Sequence, residues 1–216
     1  MKEQTPGLVH IVDDDAGMRN SLMMLVESAS LTARTYESAE KFLAEMTDEP
    51  KHPGCLVLDL RMPGMSGIDL LHRLRTSMND MPVILISAHA DVPAAIRGMK
   101  LGAVDLLQKP VEPAVLLETI QRSLKLSENL FRQRADAESV NRRFAHLTAR
   151  ELELLALIVD GHSNKQIAAQ MHISIKTVAN HRASLMTKTA AANAADLARL
   201  FTLYKANQSQ ESQALR

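Results

Sequence analysis

Short apolar, β-branched runs recur along the first half of the chain, at Leu8–Val12, Cys55–Leu58, Val83–Ile86 and Val104–Leu107, with a weaker one at Ala33–Tyr36. Between them the apolar positions take a helical period over about 16–29, 38–46, 67–77, 92–101 and from 113 onward, each segment bounded by Gly, Pro or a polar cap. Strand runs alternating with helix-period segments predict βα repetition and a parallel sheet, that is, a five-strand α/β domain. After about residue 125 the strand signal is gone, and no Gly or Pro occurs from Ala114 through Asp160. Residues 114–145 as one helix would span roughly 48 Å at 1.5 Å per residue. The apolar stripe Leu117, Ile120, Leu124 fades after Phe131 into Arg132, Arg134, Asp136, Glu138, Arg142 and Arg143. Residues 126–145 therefore read as a solvated helical linker, with a partly disordered hinge as the alternative.

From Leu147 onward, four short helices are placed by their ends. Thr148-Ala-Arg-Glu151 is a capping box opening a helix that stops at Gly161, and Ser163-Asn-Lys-Gln166 opens the next. Ser174 caps a third, Ala194–Lys205 makes the fourth, and the polar tail after Ala206 is expected to fray. Leu154, Leu155 and Ile158 would face Ile167 and Met171, while Val178 and Leu185, seven apart, would bury the third helix. Two short helices joined by the tight Met171-His-Ile-Ser174 turn are a helix-turn-helix signature. The expected division is thus 1–125 for the α/β domain, 126–145 for the linker and 146–216 for a small all-α domain.

Length and composition agree with two modest cores, since 216 residues are 46% apolar. Lys plus Arg and Asp plus Glu both total 25, so the whole-chain charge names no partner. The halves differ: residues 1–125 hold 13 basic against 17 acidic side chains and 126–216 hold 12 against 8, which makes the second half the nucleic-acid candidate. The single Cys55 lies inside an apolar run, where a buried, inert thiol in a reducing compartment is expected. Met1–Gly7 is polar, with no hydrophobic signal core and no span long enough for a bilayer, so a cytoplasmic location away from membranes is expected.

The unusual polar residues fall where a doubly wound sheet collects its reactive groups, at the carboxyl ends of strands. The first strand ends in Asp13-Asp14-Asp15 and the third in Asp59; the fourth ends in Ser87 and the fifth in Lys109-Pro110. Any one of these alone reads as a solvated turn. Together, converging carboxylates repel, raising a pKa or demanding a cation such as Mg²⁺, and a hydroxyl and an ammonium complete a cradle for a phosphoryl group. Asp59 is the best placed nucleophile, because Leu60-Arg-Met-Pro-Gly-Met-Ser-Gly67 allows a tight loop that brings backbone groups beside its carboxylate. His89 lies nearby and is expected to be a hydrogen-bonded loop histidine.

Val12-Asp-Asp-Asp15, Leu58-Asp-Leu-Arg-Met-Pro-Gly-Met-Ser-Gly67, Ile86-Ser-Ala-His89 and Gln108-Lys-Pro110 together resemble the receiver domain of two-component response regulators, over about residues 8–125. The resemblance implies a flavodoxin-like fold in which Asp59 accepts a phosphoryl group from a sensor histidine kinase. It implies that Asp13 and Asp14 form the acid pocket, that Asp14, Asp59 and the main-chain carbonyl of Arg61 surround Mg²⁺, and that Ser87 and Lys109 contact the phosphoryl oxygens. One departure is Leu106, which stands where many receivers carry an aromatic switch residue. It keeps open an atypical receiver whose DNA binding ignores phosphate. An enzyme reading also exists, since Val12-Asp13-Asp14-Asp15 fits the Asp-x-Asp strand end of haloacid-dehalogenase-like phosphatases. That reading leaves the Asp59 loop unexplained and predicts sustained turnover, so a non-enzymatic regulator is the expectation.

Leu147-Thr-Ala-Arg-Glu151, Gly161-His-Ser-Asn-Lys-Gln-Ile-Ala168, Ile173-Ser-Ile-Lys-Thr-Val178 and His181-Arg182 resemble the LuxR-type helix-turn-helix, and with the receiver loop the whole resembles the FixJ-like branch of response regulators. The expected contacts to double-stranded promoter DNA are Lys165, Lys176, Thr177, Ala179, Asn180, Arg182 and Ala183, the small alanines permitting close approach to a groove. Two departures are visible: His172 replaces the usual Gly of the turn, and Thr189-Ala-Ala-Ala192 replaces a more apolar segment. The resemblance further implies a homodimer on phosphorylation, through about Val92–Leu101 and the fifth strand, and RNA polymerase as a further partner.

Overall fold

Five β-branched and aliphatic runs form strands β1 (Leu8–Val12), β2 (Thr32–Tyr36), β3 (Gly54–Asp59), β4 (Val83–Ser87) and β5 (Asp105–Gln108) in the computed structural model, which describes residues 7–46, 52–88 and 92–214. All pair parallel, in the order β2-β1-β3-β4-β5. The strand order changes direction next to β1, so the crevice that receives ligands opens beyond the carboxyl ends of β1 and β3. Register places Val12 beside Leu58, and the residues that follow, Asp13 and Asp59, emerge together.

Helices α1 (Ala16–Ser28), α2 (Ala39–Glu45), α3 (Gly67–Thr76), α4 (Val92–Lys100) and α5 (Pro113–Phe144) alternate with the strands. The period of two in the strands splits the interior into two layers. Val9, Ile11, Val57, Ile84 and Ile86 meet Leu22 and Val26 of α1 and Leu116 and Ile120 of α5. Val12, Leu56, Leu58 and Leu85 meet Phe42 of α2, Leu70 and Leu74 of α3 and Ala94 of α4. Central strands β3 and β4 are buried throughout, as strands covered on both faces should be. Cys55 is fully buried, and burial pushes its thiol up to about 12, which leaves it inert. His89 lies outside the described residues.

The chain divides into two compact units, Met1–Arg132 and Gln133–Arg216. Helix α5 is continuous from Pro113 to Phe144. The expectation that its later turns are solvated needs correction: Val140 and Phe144 are buried in the core of the second unit, where Phe144 stacks on Tyr204 with ring centroids 4.8 Å apart. This i, i+4 apolar pair lies among charged neighbours that mask it in the linear pattern. Near the start of that stretch Ser127 is also buried, and its hydroxyl accepts the Gly54 N–H at 3.0 Å.

The second unit adds α6 (Ala149–Val159), α7 (Asn164–Met171), α8 (Ile175–Thr189) and α9 (Ala194–Ala214). Both capping boxes form, Thr148 with Glu151 and Ser163 with Gln166. Leu154, Leu155, Ile167, Met171, Val178 and Leu185 build the core, with Ile158 half-buried against it. Glu151, nearly buried, accepts Lys188 Nζ at 2.7 and 2.9 Å, so an ion pair ties the start of α6 to the end of α8. The expected fraying after Ala206 is not found: α9 runs on to Ala214, and Asn207 Nδ2 donates to Asn141 Oδ1 at 3.2 Å, anchoring the extension to α5.

Both sequence departures in this unit fall on left-handed backbone. His172 closes α7 at φ 56°, a conformation His tolerates better than most side chains. Ala190 closes α8 at φ 52°, ψ 34°, where a Cβ meets the following carbonyl and costs roughly 1–2 kcal/mol. Glycine removes that cost and returns part of it through a more flexible unfolded chain. Ala190→Gly is therefore expected to stabilise the second unit by about 1 kcal/mol. The measurement is the urea midpoint of the transition that hydrogen exchange assigns to α6–α9, and an unchanged or lower midpoint would contradict the strain assigned to this cap.

Candidate functional site

The strand ends bring four of the expected side chains together. Oxygen atoms of Asp13, Asp14 and Asp59 all lie within 4.8 Å of one another. Lys109, following β5, places its Nζ 2.7 Å from Asp13 Oδ2 and 3.3 Å from Asp59 Oδ2, bridging the two buried carboxylates. Asp14 is exposed, whereas Asp13 and Asp59 keep only 2% and 7% of their surface, so the cluster has one open side. A donor set of three carboxylates suits a hard divalent cation such as Mg²⁺.

Electrostatics follow from this packing. Burial raises the Asp59 carboxyl above the ordinary range; the Lys109 charge opposes that, the Asp13 charge adds to it, and a Lys109 hydrogen bond and the Arg61 backbone N–H oppose it again. For Lys109, burial works against the charged form, but the Asp13 hydrogen bond and the Asp59 and Asp13 charges outweigh it and hold the ammonium above its usual range. A buried carboxylate paired to a fixed ammonium is an arrangement that can stabilise charge added at the carboxylate.

The neighbours of the cluster have structural duties. Asp15 is the N-cap of α1, accepting the Met18 N–H at 3.0 Å, so the third aspartate of the run is committed to the helix rather than to the cluster. Asp13 Oδ1 accepts the Asp15 N–H at 2.9 Å, and Arg19 Nη1 donates to the Asp13 carbonyl at 2.7 Å, which fixes the turn that aims Asp13. Ser87 is buried at the end of β4, and its carbonyl accepts the Lys109 N–H at 2.8 Å. Arg61 is exposed beside Asp59, and its N–H donates to that carboxylate. Leu106 is half-buried and packs on the core layer beneath α2, α3 and α4.

The loop from Leu60 to Ser66 is closed by backbone contacts. Leu60 N donates to Ile86 O at 2.9 Å and Gly67 N to Leu60 O at 3.1 Å. A Cβ on Gly67 would stand 2.2 Å from the Asp59 carbonyl oxygen, so only glycine lets α3 start this close to the Asp59 backbone.

In the second unit the turn His172–Ser174 delivers α8. Lys176, Ala179, Asn180 and Ala183 are exposed along one face, at helical spacing i, i+3, i+4 and i+7, and Lys165 is exposed on α7. Thr177 is half-buried, with its hydroxyl 2.7 Å from that of the cap residue Ser174. Arg182 departs from the expectation of a shared exposed face. It is half-buried, its Nη2 donates to the His162 carbonyl at 3.4 Å and its Nε is buried without a partner. Six residues from Lys176, it turns about 120° off the exposed row and faces the α6–α7 connection instead.

Two residues that no local pattern singles out contribute to these sites. Arg150 Nη2 donates to the Met171 carbonyl, holding the end of α7 where the turn begins, while its Nη1 bonds Glu153 at 2.6 Å. Glu40 Oε1 accepts the Met65 N–H at 2.9 Å, reaching from α2 to the loop after Asp59. Both partners lie more than 20 residues away in sequence, so helical periodicity carries no trace of them.

Comparison with known proteins covers nearly the whole chain. Residues 9–121 match the response regulator receiver domain, and residues 145–201 match the bacterial regulatory proteins of the luxR family. The transcriptional regulatory protein FixJ of Azorhizobium caulinodans is 41% identical over 203 residues, 94% of each chain. The C4-dicarboxylate transport transcriptional regulatory protein DctR of Rhodobacter capsulatus is 39% identical over 196 residues, 89% of this chain and 98% of that one. Among solved structures, response regulator StyR superposes with a TM-score of 0.85 at 38% identity, covering 93% of this chain and all of that chain. The N-terminal part of FixJ gives 0.52 at 42% identity over 56% of this chain and 95% of that chain.

Proposed function

Since the chain belongs to the response regulators that join a receiver domain to a LuxR-type DNA-binding domain, we propose that it is a transcriptional regulator switched by phosphorylation of Asp59. It is a non-enzymatic regulator of two-component systems, with a histidine kinase and DNA as the partners its two domains imply. The observation that carries the finer reading is the convergence of Asp13, Asp14 and Asp59 within 4.8 Å with Lys109 bridging two of them.

Asp14 and Asp59, with Asp13 and the Arg61 carbonyl, would hold Mg²⁺, which when bound neutralises charge on the phosphoryl group being transferred. An Asp59 carboxylate oxygen forms the new P–O bond while the bond from phosphorus to the donor imidazole nitrogen of the kinase breaks, and the imidazole leaves. The Lys109 ammonium then exchanges its Asp59 contact for a phosphoryl oxygen, and the Ser87 hydroxyl donates to another. In this reading the exposed row of α8 enters the major groove, Lys176 and Lys165 pair with phosphates, Asn180 reads a base edge, and Thr177 braces the first turn. Arg182 would act from the side, through the turn it braces. A homodimer of the phosphorylated form and contact with RNA polymerase complete the proposal, in the cytoplasm; among the described residues no helix is long and apolar enough to cross a membrane.

A second reading is favoured by Leu106: with no aromatic ring to change rotamer, the receiver would hold DNA without regard to phosphate. DNA affinity with and without acetyl phosphate and Mg²⁺ separates the two. The expected result is a rise of about tenfold in affinity on phosphorylation, a coupling of about 1.4 kcal/mol. Equal affinities would establish the phosphate-independent reading.

A further inference from the structure

Asp59 is followed by a loop whose ends are tied to the sheet and to α3, as described; at its apex Pro63 and Gly64 are exposed, while Met65 is half-buried against the core. Helix α2 contributes one side chain to that apex. Glu40, in the first turn of α2 after the cap Ser38, accepts the Met65 N–H at 2.9 Å across 25 residues of sequence. The adjoining Gly64 has φ +78°, and a Cβ there would stand 2.9 Å from Glu40 Oε1, so the missing side chain leaves the space the carboxylate fills. The same carboxylate takes hydrogen bonds from its own backbone N–H, from Met65 and from Ser38, which hold it below the usual range and therefore ionised. The Glu40 side chain is exposed, so what ties it to the loop is the charge-assisted bond from the Met65 N–H together with the space left by Gly64.

We infer that Glu40 is a positioning residue for the chemistry at Asp59: from α2 it pins the apex of the Leu60–Ser66 loop and so keeps the Arg61 backbone beside the Asp59 carboxylate. The inference rests on the reading of Asp59 as phosphoacceptor. The Pro-Gly-Met segment confers the turn, Gly67 confers the close start of α3, and Glu40 supplies the only contact to the apex drawn from α2 among the described hydrogen bonds. Its effect reaches Asp59 through the loop backbone Leu60–Gly64, which lies between Asp59 and the pinned Met65.

The test uses the full-length protein and three variants, Glu40→Ala, Glu40→Gln and Gly64→Ala. In metal-free protein, Glu40→Ala is expected to speed hydrogen exchange of the Met65 amide by about tenfold or more, as loss of a charge-assisted hydrogen bond does, while amides of β1 and β3 keep their protection. Calorimetric Mg²⁺ affinity and the rate of phosphorylation by acetyl phosphate are expected to fall together by roughly three- to tenfold. Glu40→Gln keeps an acceptor oxygen and is expected to recover most of the rate; Gly64→Ala strains the φ +78° turn itself as well as crowding the carboxylate, and is expected to lose at least as much as Glu40→Ala. Unchanged Met65 exchange in Glu40→Ala, or faster exchange with parental Mg²⁺ affinity and rate, would overturn the role. A parent protein that forms no adduct at all would overturn the phosphoacceptor reading first, whereas a parent that reacts and a Glu40→Ala protein that reacts equally fast would overturn only the inference about Glu40.

Discussion

Asp59→Asn is expected to abolish phosphorylation: with acetyl phosphate and Mg²⁺ the parent protein should gain the mass of one phosphoryl group, stable in acid and labile in base, and the variant none. The expectation follows from the cluster's asymmetry. Asp13 is more deeply buried than Asp59, its Oδ2 is held by Lys109 at 2.7 Å and its Oδ1 by the Asp15 N–H, so neither oxygen is free to attack. Asp14 is exposed at the rim. Asp59 alone combines a raised carboxyl, a looser Lys109 contact at 3.3 Å and a neighbouring backbone donor in the loop. An amide in its place is no nucleophile, and it also removes one anion from the set that would hold Mg²⁺, so both the attacking atom and the metal's charge balance are lost. A persistent adduct in Asp59→Asn, located by peptide mapping to Asp13 or Asp14, would move the nucleophile there and reverse the roles assigned to the bridge.

The convergence of Asp13, Asp14, Asp59 and Lys109 was legible because these side chains sit at strand ends, and strand ends are marked by the switch from an apolar run to a polar residue. Val12 to Asp13, Leu58 to Asp59 and Ile86 to Ser87 are such points, Leu107 to Gln108 is the one that precedes Lys109, and a parallel sheet gathers them regardless of what the intervening helices contain. What the pattern did not reveal depends on partners distant in sequence. The burial of Val140 and Phe144 requires Tyr204 and Phe201 of α9, about 60 residues on. The continuation of α9 depends on Asn207 meeting Asn141. Glu40 and Arg150 look like ordinary first-turn polar residues until the donor to Glu40 and the acceptor of Arg150 are known. Arg182 is a different case, since helical geometry alone removes it from the face that holds Lys176, Asn180 and Ala183. Its cationic chemistry drew it into that group; its angle on the helix does not.

That angle sharpens what α8 should do on DNA. Asn180→Ala is expected to weaken binding to the cognate site by about 1–3 kcal/mol and binding to random DNA much less, because an amide can donate to and accept from one base edge but adds no charge to the backbone contacts. Asn180 is exposed between Ala179 and Ala183, whose small side chains would let the helix axis approach the groove floor and bring the amide near enough to read a base. Lys176, one turn earlier on the same face, should behave oppositely: Lys176→Ala is expected to weaken cognate and random DNA alike and to lower the salt slope by about one unit, the signature of one lost phosphate contact. Titrations of both variants on both DNAs across a range of salt provide the comparison. Equal losses on cognate and random DNA for Asn180→Ala would remove it from base reading and leave it a phosphate contact like Lys176. A discrimination loss with Lys176→Ala would instead shift base reading to the first turn of α8, where Ser174 and Thr177 already hold the backbone in place.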